Sequence, residues 1–152
     1  MSSPAPAARG PAVGVGAVVV HEGRVLLIRR GKRPLEGRWV IPGGTVEWGE
    51  ALEAAVAREV LEETSVVVEA REVVAVFDRI ERDAGSVDYH YVIIDYRCEY
   101  VRGTPVAGSD AAGAAFVALD ELDRYDVPPK ALEVIAKVVG PLSPLRRDPP
   151  RR

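Results

Sequence analysis

The chain has 152 residues, 47% hydrophobic and 28% charged, with a net charge of −3. That suits one globular domain with a proper core, and it gives no global reason to expect nucleic acid or a membrane surface as partner. One cysteine, Cys98, excludes an intramolecular disulfide, and with no secretory signal or bilayer-length apolar run a cytoplasmic protein is expected.

Residues 1–12 are rich in Ala, Pro and Ser and are expected to be disordered. Val13–Val20 and Arg24–Arg30 read as two strands around a Glu22-Gly23 turn. Trp39–Ile41 and Val66–Glu69 are short strands flanking a helix, which the turn Pro42-Gly43-Gly44 introduces. Val73–Ile80 and Tyr89–Tyr100 are longer β-rich runs joined by a polar loop, Glu81–Asp88, and Ala114–Ala118 is a further strand. Pro129–Val139 predicts a helix, with proline in its first turn and Leu132, Ile135, Ala136 and Val139 on one face. Residues 141–152 are rich in Pro and Arg and read as a solvated, flexible tail, which leaves one domain over 13–140. Strands interrupted by two helices give an α/β protein with a mixed sheet between helices.

The most informative stretch is Gly44 to Ser65, which holds six glutamates against one arginine. With about 100° of rotation per residue and Glu59 at zero, Glu62 falls near −60° and Glu63 near +40°. Leu52, Ala55, Val56 and Val60 lie between about −40° and +100° on the same scale. The acidic arc therefore continues the apolar stripe, whereas a solvated charged face would lie opposite it. Clustered like charges repel, and carboxylates in a last helical turn face the negative end of the helix dipole. A hard divalent cation with oxygen ligands would offset both effects. Glycines before the helix allow close backbone approach, and Glu50 lies where the dipole favours a carboxylate that can cap the helix.

Gly44, Glu50 and the run Arg58-Glu59-Val60-Leu61-Glu62-Glu63-Thr64-Ser65-Val66 resemble the Nudix box of the Nudix hydrolases at every defining position except Ser65, where the family usually has glycine. Gly14 to Val20, Arg24 to Arg30, Trp39 to Gly44 and Phe116 to Leu122 extend the likeness over about residues 13–139. The runs Val76 to Arg82 and Tyr89 to Asp95 look most like the bacterial ADP-ribose pyrophosphatase branch. The resemblance implies a Nudix-type α/β/α sandwich with a central mixed β-sheet. It also implies Mg²⁺- or Mn²⁺-dependent hydrolysis of a nucleoside diphosphate linked to another moiety, with ADP-ribose giving AMP and ribose 5-phosphate. By position, Glu62 and Glu63 are the principal metal ligands and Glu59 is a ligand or the base that activates water. Arg58 holds the glutamates, Gly43 or Gly44 offers a carbonyl, and Glu50 is placed to bind a second ion. A triphosphate hydrolase that clears damaged nucleotides, or a non-catalytic nucleotide sensor, are the alternatives on the same fold. Related enzymes are often homodimers, which leaves a homodimer open here.

Ser65 is expected in a left-handed position just past the helix, at a cost of about 1 kcal/mol relative to glycine. Gly113 stands where related sequences often carry an acid, and Asp110 is the candidate to replace it. Arg29, Arg30, Lys32, Arg33 and Arg38 form a basic group suited to phosphates or a terminal ribose, with Arg29, Arg30 and Arg38 taken as substrate contacts alongside Gly43 and Gly44. Phe77, Tyr89 and Tyr91 are placed either to pack in the core or to stack on a base. Trp48 is a candidate for the pocket border. His90 reads as a packed or surface histidine, and Cys98 as a small apolar residue.

Overall fold

The computed structural model describes residues 10–108 and 110–142. The elements are β1 (Ala12–His21), β2 (Arg24–Arg30), β3 (Trp39–Val40), β4 (Gly43–Thr45), α1 (Leu52–Thr64), β5 (Val67–Asp83), β6 (Ser86–Arg102), β7 (Ala111–Ala118), a 3-10 helix (Leu119–Arg124) and α2 (Pro129–Val139). The sheet runs β3-β2-β1-β6-β5, with β4 on β1 and β7 on β2. β1 is parallel to β6 and antiparallel to β2 and β4, so the sheet is mixed.

β1 is apolar on both faces because both are covered. Val15, Ala17 and Val19 pack with Ala55, Val56 and Val60 of α1. Val18 packs on the other face with Val25, Leu27, Val117 and α2 residues Val134 and Ile135. The two-residue alternation of one strand thus divides the core into two layers, one under each helix. Leu132, Ala136 and Val139, expected on the buried face of α2, are partly buried at its edge, while Val134 lies at its centre. Cys98 packs in the α1 layer, where burial pushes its thiol up to about 12, which keeps it protonated.

Three expectations need correction. Glu81–Asp88 is no loop: β5 and β6 pair from Val67↔Arg102 to Asp83↔Ser86 and turn at Ala84 and Gly85, both at positive φ. Twist-matched two-residue turns of this kind close hairpins, and backbone pairing carries the strands on where both faces are largely exposed. Val67–Glu69 and Val73–Ile80 accordingly belong to one strand, with Val66 just before it and register shifts that include one between Ala70 and Val73. Pro42-Gly43-Gly44 is only partly turn, because Gly43–Thr45 forms β4 against Gly14, Val15 and Gly16.

Leu142, assigned to the tail, is buried in the α2 layer. The rest of that tail, and residues 1–9, lie outside the described residues. Among the described residues no helix is long and apolar enough to cross a membrane.

Candidate active site

The site forms where the C-terminal half of α1 meets β4. A Cβ at Gly44 would overlap the carboxyl group of Glu59, and one at Gly43 would overlap the carbonyl of Val15 and crowd Gly16. Glycine at position 43 lets β4 lie against the backbone of β1, and glycine at position 44 leaves room for the Glu59 carboxyl group. The Gly43 N–H donates to Glu63 Oε1 at 2.8 Å. The Gly43 amide thus tethers a glutamate, a role separate from the carbonyl that Gly43 or Gly44 is expected to offer.

Arg58 organises the remaining acids. Its Nε and Nη2 donate to the two oxygens of Glu50 at 2.7 and 2.9 Å. Its Nη1 donates to Glu59 at 2.9 Å and to Glu62 at 3.2 Å, and Nη2 also reaches the Thr45 carbonyl at 3.1 Å. A planar guanidinium can serve this many acceptors at once, and an ammonium cannot. Glu50 does not cap α1: the N-cap is Ala51, with no side-chain cap bond. Glu50 instead accepts from Arg58 and from the Glu47 N–H, and these bonds hold its carboxyl down to about 2.

The glutamates differ in environment. Glu59 has 15% of its side chain exposed, against 56% for Glu62. Burial raises the pKa of Glu59, opposed by Arg58. Burial also pushes Glu63 up to about 7, with the charges of Glu59 and Asp110 adding to the rise. Glu59 and Glu63 therefore hold negative charge at a cost that a nearby cation would relieve. Among the described residues no three acids converge into a preassembled cage; Arg58 Nη1 bridges Glu59 and Glu62, and Glu63 accepts from the Gly43 N–H. The donor set itself, several carboxylate oxygens at one rigid helix end, suits a hard divalent ion.

Ser65 sits where expected, at φ 64, and closes α1 with an N–H to the Leu61 carbonyl. Gly113 lies inside β7 opposite Arg29, where a Cβ would crowd Trp39. Asp110 pairs with Lys32 at 2.9 Å and is close enough for Glu63 to feel its charge.

Beside β4, and bounded by Gly43, Gly44 and Thr45, lies a cavity of about 440 Å³. Ile41, Phe77, Ile93 and Val134 give it apolar walls, Tyr89 and Tyr91 add aromatic surface, and Arg30, Arg33, Arg79 and Lys130 supply positive charge. Of the expected substrate arginines only Arg30 lines it. Arg29 is not among the residues that line it, and Arg38 pairs with Asp126 at 3.0 Å. Trp48 projects into solvent, 90% exposed, and His90 lies 3.4 Å from Asp78.

Asp95 was not singled out from the sequence. It lines the cavity with only 2% of its surface exposed. Burial pushes its carboxyl up to about 6 against the opposing charges of Arg79, Lys130 and Lys137. A raised acid pKa means that the fold disfavours the charged form. The cost is absent below the unfolded value near 4, grows between about 4 and 6, and is constant above. Asp95→Asn is expected to stabilise the protein by roughly 3 kcal/mol at pH 8 and by little at pH 4, relative to the parent at each pH. Urea unfolding at the two pH values checks this, and an equal gain at both would show that charge is not the cause.

A mixed sheet between two helices, with a glycine strand against a glutamate-rich helix end, defines a class of phosphoanhydride hydrolases. The NUDIX domain model matches residues 10–138, and the chain belongs to that family of pyrophosphate-bond hydrolases. It is 34% identical over 114 residues to an ADP-ribose pyrophosphatase of Methanocaldococcus jannaschii, spanning 75% of this chain and 66% of that protein. It is 33% identical over 139 residues, 91% of this chain and 95% of the other, to a Mycobacterium tuberculosis protein with the provisional name 8-oxo-dGTP diphosphatase 2. The crystal structure of a MutT NUDIX hydrolase from Burkholderia pseudomallei superposes with a TM-score of 0.74 at 32% identity, covering 86% of this chain and 99% of that one.

Proposed function

We propose that this protein is a Mg²⁺- or Mn²⁺-dependent pyrophosphohydrolase that cleaves ADP-ribose to AMP and ribose 5-phosphate in the cytoplasm. The observation that carries the reading is the cavity, with aromatic and cationic lining, which shares Gly43 and Gly44 of β4 with the carboxylate end of α1. The similarity to an ADP-ribose pyrophosphatase over three quarters of the chain supports the substrate.

Glu62 and Glu63 are the principal ligands for the ion, Glu59 a further ligand or the base that takes the water proton, and Glu50 a candidate for a second ion. A bound divalent ion supplies neutralisation of the phosphate oxygens and acidifies water. Arg58 fixes the carboxylates in place, and the Gly43 N–H keeps Glu63 oriented. Arg30, with Arg33 beside it, meets the diphosphate or terminal ribose.

Hydrolysis of a damaged nucleoside triphosphate is the second reading, favoured by the relative that matches over nearly its whole length. Chromatographic product analysis with ADP-ribose, other nucleoside diphosphate conjugates, ordinary triphosphates and 8-oxo-dGTP separates the two. Each substrate is run with Mg²⁺, with Mn²⁺ and with chelator. Metal-dependent AMP formed fastest from ADP-ribose is the expected result. Faster conversion of a triphosphate to its monophosphate would replace the substrate and keep the chemistry. No turnover of any of them would sink the hydrolase reading.

A further inference from the structure

Asp95 has no task in the chemistry at the end of α1. It stands in the middle of β6, level with Gly16 on β1 and Ala75 on β5. A Cβ at Gly16 would overlap its Oδ1, so the glycine leaves the acid room beside the cavity. No described residue donates a hydrogen bond to its carboxylate; Arg79, Lys130 and Lys137 act on it through charge alone. With 2% of its surface exposed beside the cavity, the carboxylate is not cut off from solvent, and a ligand that filled the cavity would have to supply a donor in place of water.

The cavity restricts what that donor can be. Ile41, Phe77 and Ile93 form apolar walls that suit the faces of a flat heterocycle. A sugar there would press its remaining hydroxyls against the same walls without partners. Arg30, Arg33 and Lys130 line the same cavity and match the anionic part of a nucleotide.

Granted the nucleotide substrate proposed above, we propose that Asp95 is a specificity-determining residue whose carboxylate accepts a hydrogen bond from the exocyclic amine of the bound nucleobase. Bases that carry an amine are therefore preferred over bases that lack one. Sites built to hydrogen-bond a ligand group discriminate strongly against analogues without it, because the buried partner is left unpaired.

Calorimetric titration of the full chain and of Asp95→Ala, which removes the acceptor, with AMP, GMP and IMP tests this. Hypoxanthine lacks the 2-amine of guanine and carries an oxygen in place of the 6-amine of adenine. The parent is expected to bind AMP or GMP at least about tenfold more tightly than IMP, and Asp95→Ala to bring that ratio close to one. Whichever of the two shows the advantage locates the amine at position 6 or position 2. Equal binding of all three by the parent, no binding by the parent at millimolar concentration, or a ratio unchanged in the variant would each overturn the proposal. So would an equal loss for all three nucleotides in a variant that melts normally. Hydrolysis assays on the same samples keep the two readings apart. Turnover without base preference sinks the role of Asp95 alone, and base-selective binding without turnover sinks the hydrolase reading alone.

Discussion

Glu63→Gln is expected to lower metal-dependent turnover at least about 100-fold while leaving the fold intact. Glutamine keeps the size of the side chain and an oxygen that can accept from the Gly43 N–H, the bond that holds Glu63 at 2.8 Å. What it removes is the charge, in the place where burial makes charge most expensive. A carboxylate pushed up to about 7 is kept there against the preference of the fold, which argues for a cationic partner during function. The fold itself does not need that charge, so the melting temperature without metal should not fall. Steady-state kinetics at saturating metal, beside thermal melts of parent and variant, measure both sides. Glu53→Gln, on the exposed side of the first turn of α1, is the control and should turn over normally. Near-parent turnover by Glu63→Gln would remove the central assignment of the site.

Much of this was legible in the sequence, and for a physical reason. The acidic arc of α1 could be placed from helical periodicity alone, because a regular helix fixes the angles between Glu59, Glu62 and Glu63. The glycine before it, the left-handed Ser65 and the apolar strands β1 and β2 are likewise local features. What local pattern could not give was pairing at a distance. Arg38 looks like its basic neighbours until Asp126, 88 residues away, claims it. Glu50 sits at a helix start, where it reads as a cap, yet Arg58 takes both its oxygens. The hairpin ends of β5 and β6 are mostly polar and exposed, and the short alternation of Val87, Tyr89 and Tyr91 is too brief to stand out as strand against Glu81–Asp88. Asp95 was hidden most completely. It sits in an apolar strand run, and only its neighbours in space, Gly16 and the cavity, make it conspicuous. The glycines of β1 are the one signal that bore on it, since a strand seldom gives up side chains unless something approaches closely.

The two glycines of β4 should separate activity from stability. Alanine at position 44 places its methyl on the Glu59 carboxyl, the free end of a flexible side chain. The glutamate can swing away, so Gly44→Ala should fold and melt close to the parent. Its catalytic carboxylate would then be displaced by the order of 1 Å, and misplacement on that scale costs on the order of 100-fold in rate. Alanine at position 43 meets the Val15 carbonyl and the Gly16 Cα, both backbone atoms in the middle of β1. Neither can move without parting β4 from β1, so Gly43→Ala should lose about 1–3 kcal/mol of stability, and possible rescue by side-chain rotation does not exist there. Melting temperatures and kcat measured on both variants decide the matter. If both lost stability equally, the crowding at Gly44 would be structural and Glu59 would not be poised against it. If Gly44→Ala alone kept its fold and lost its rate, the space left by a missing side chain would be part of the catalytic geometry, because Glu59 uses the volume that every residue other than glycine would fill.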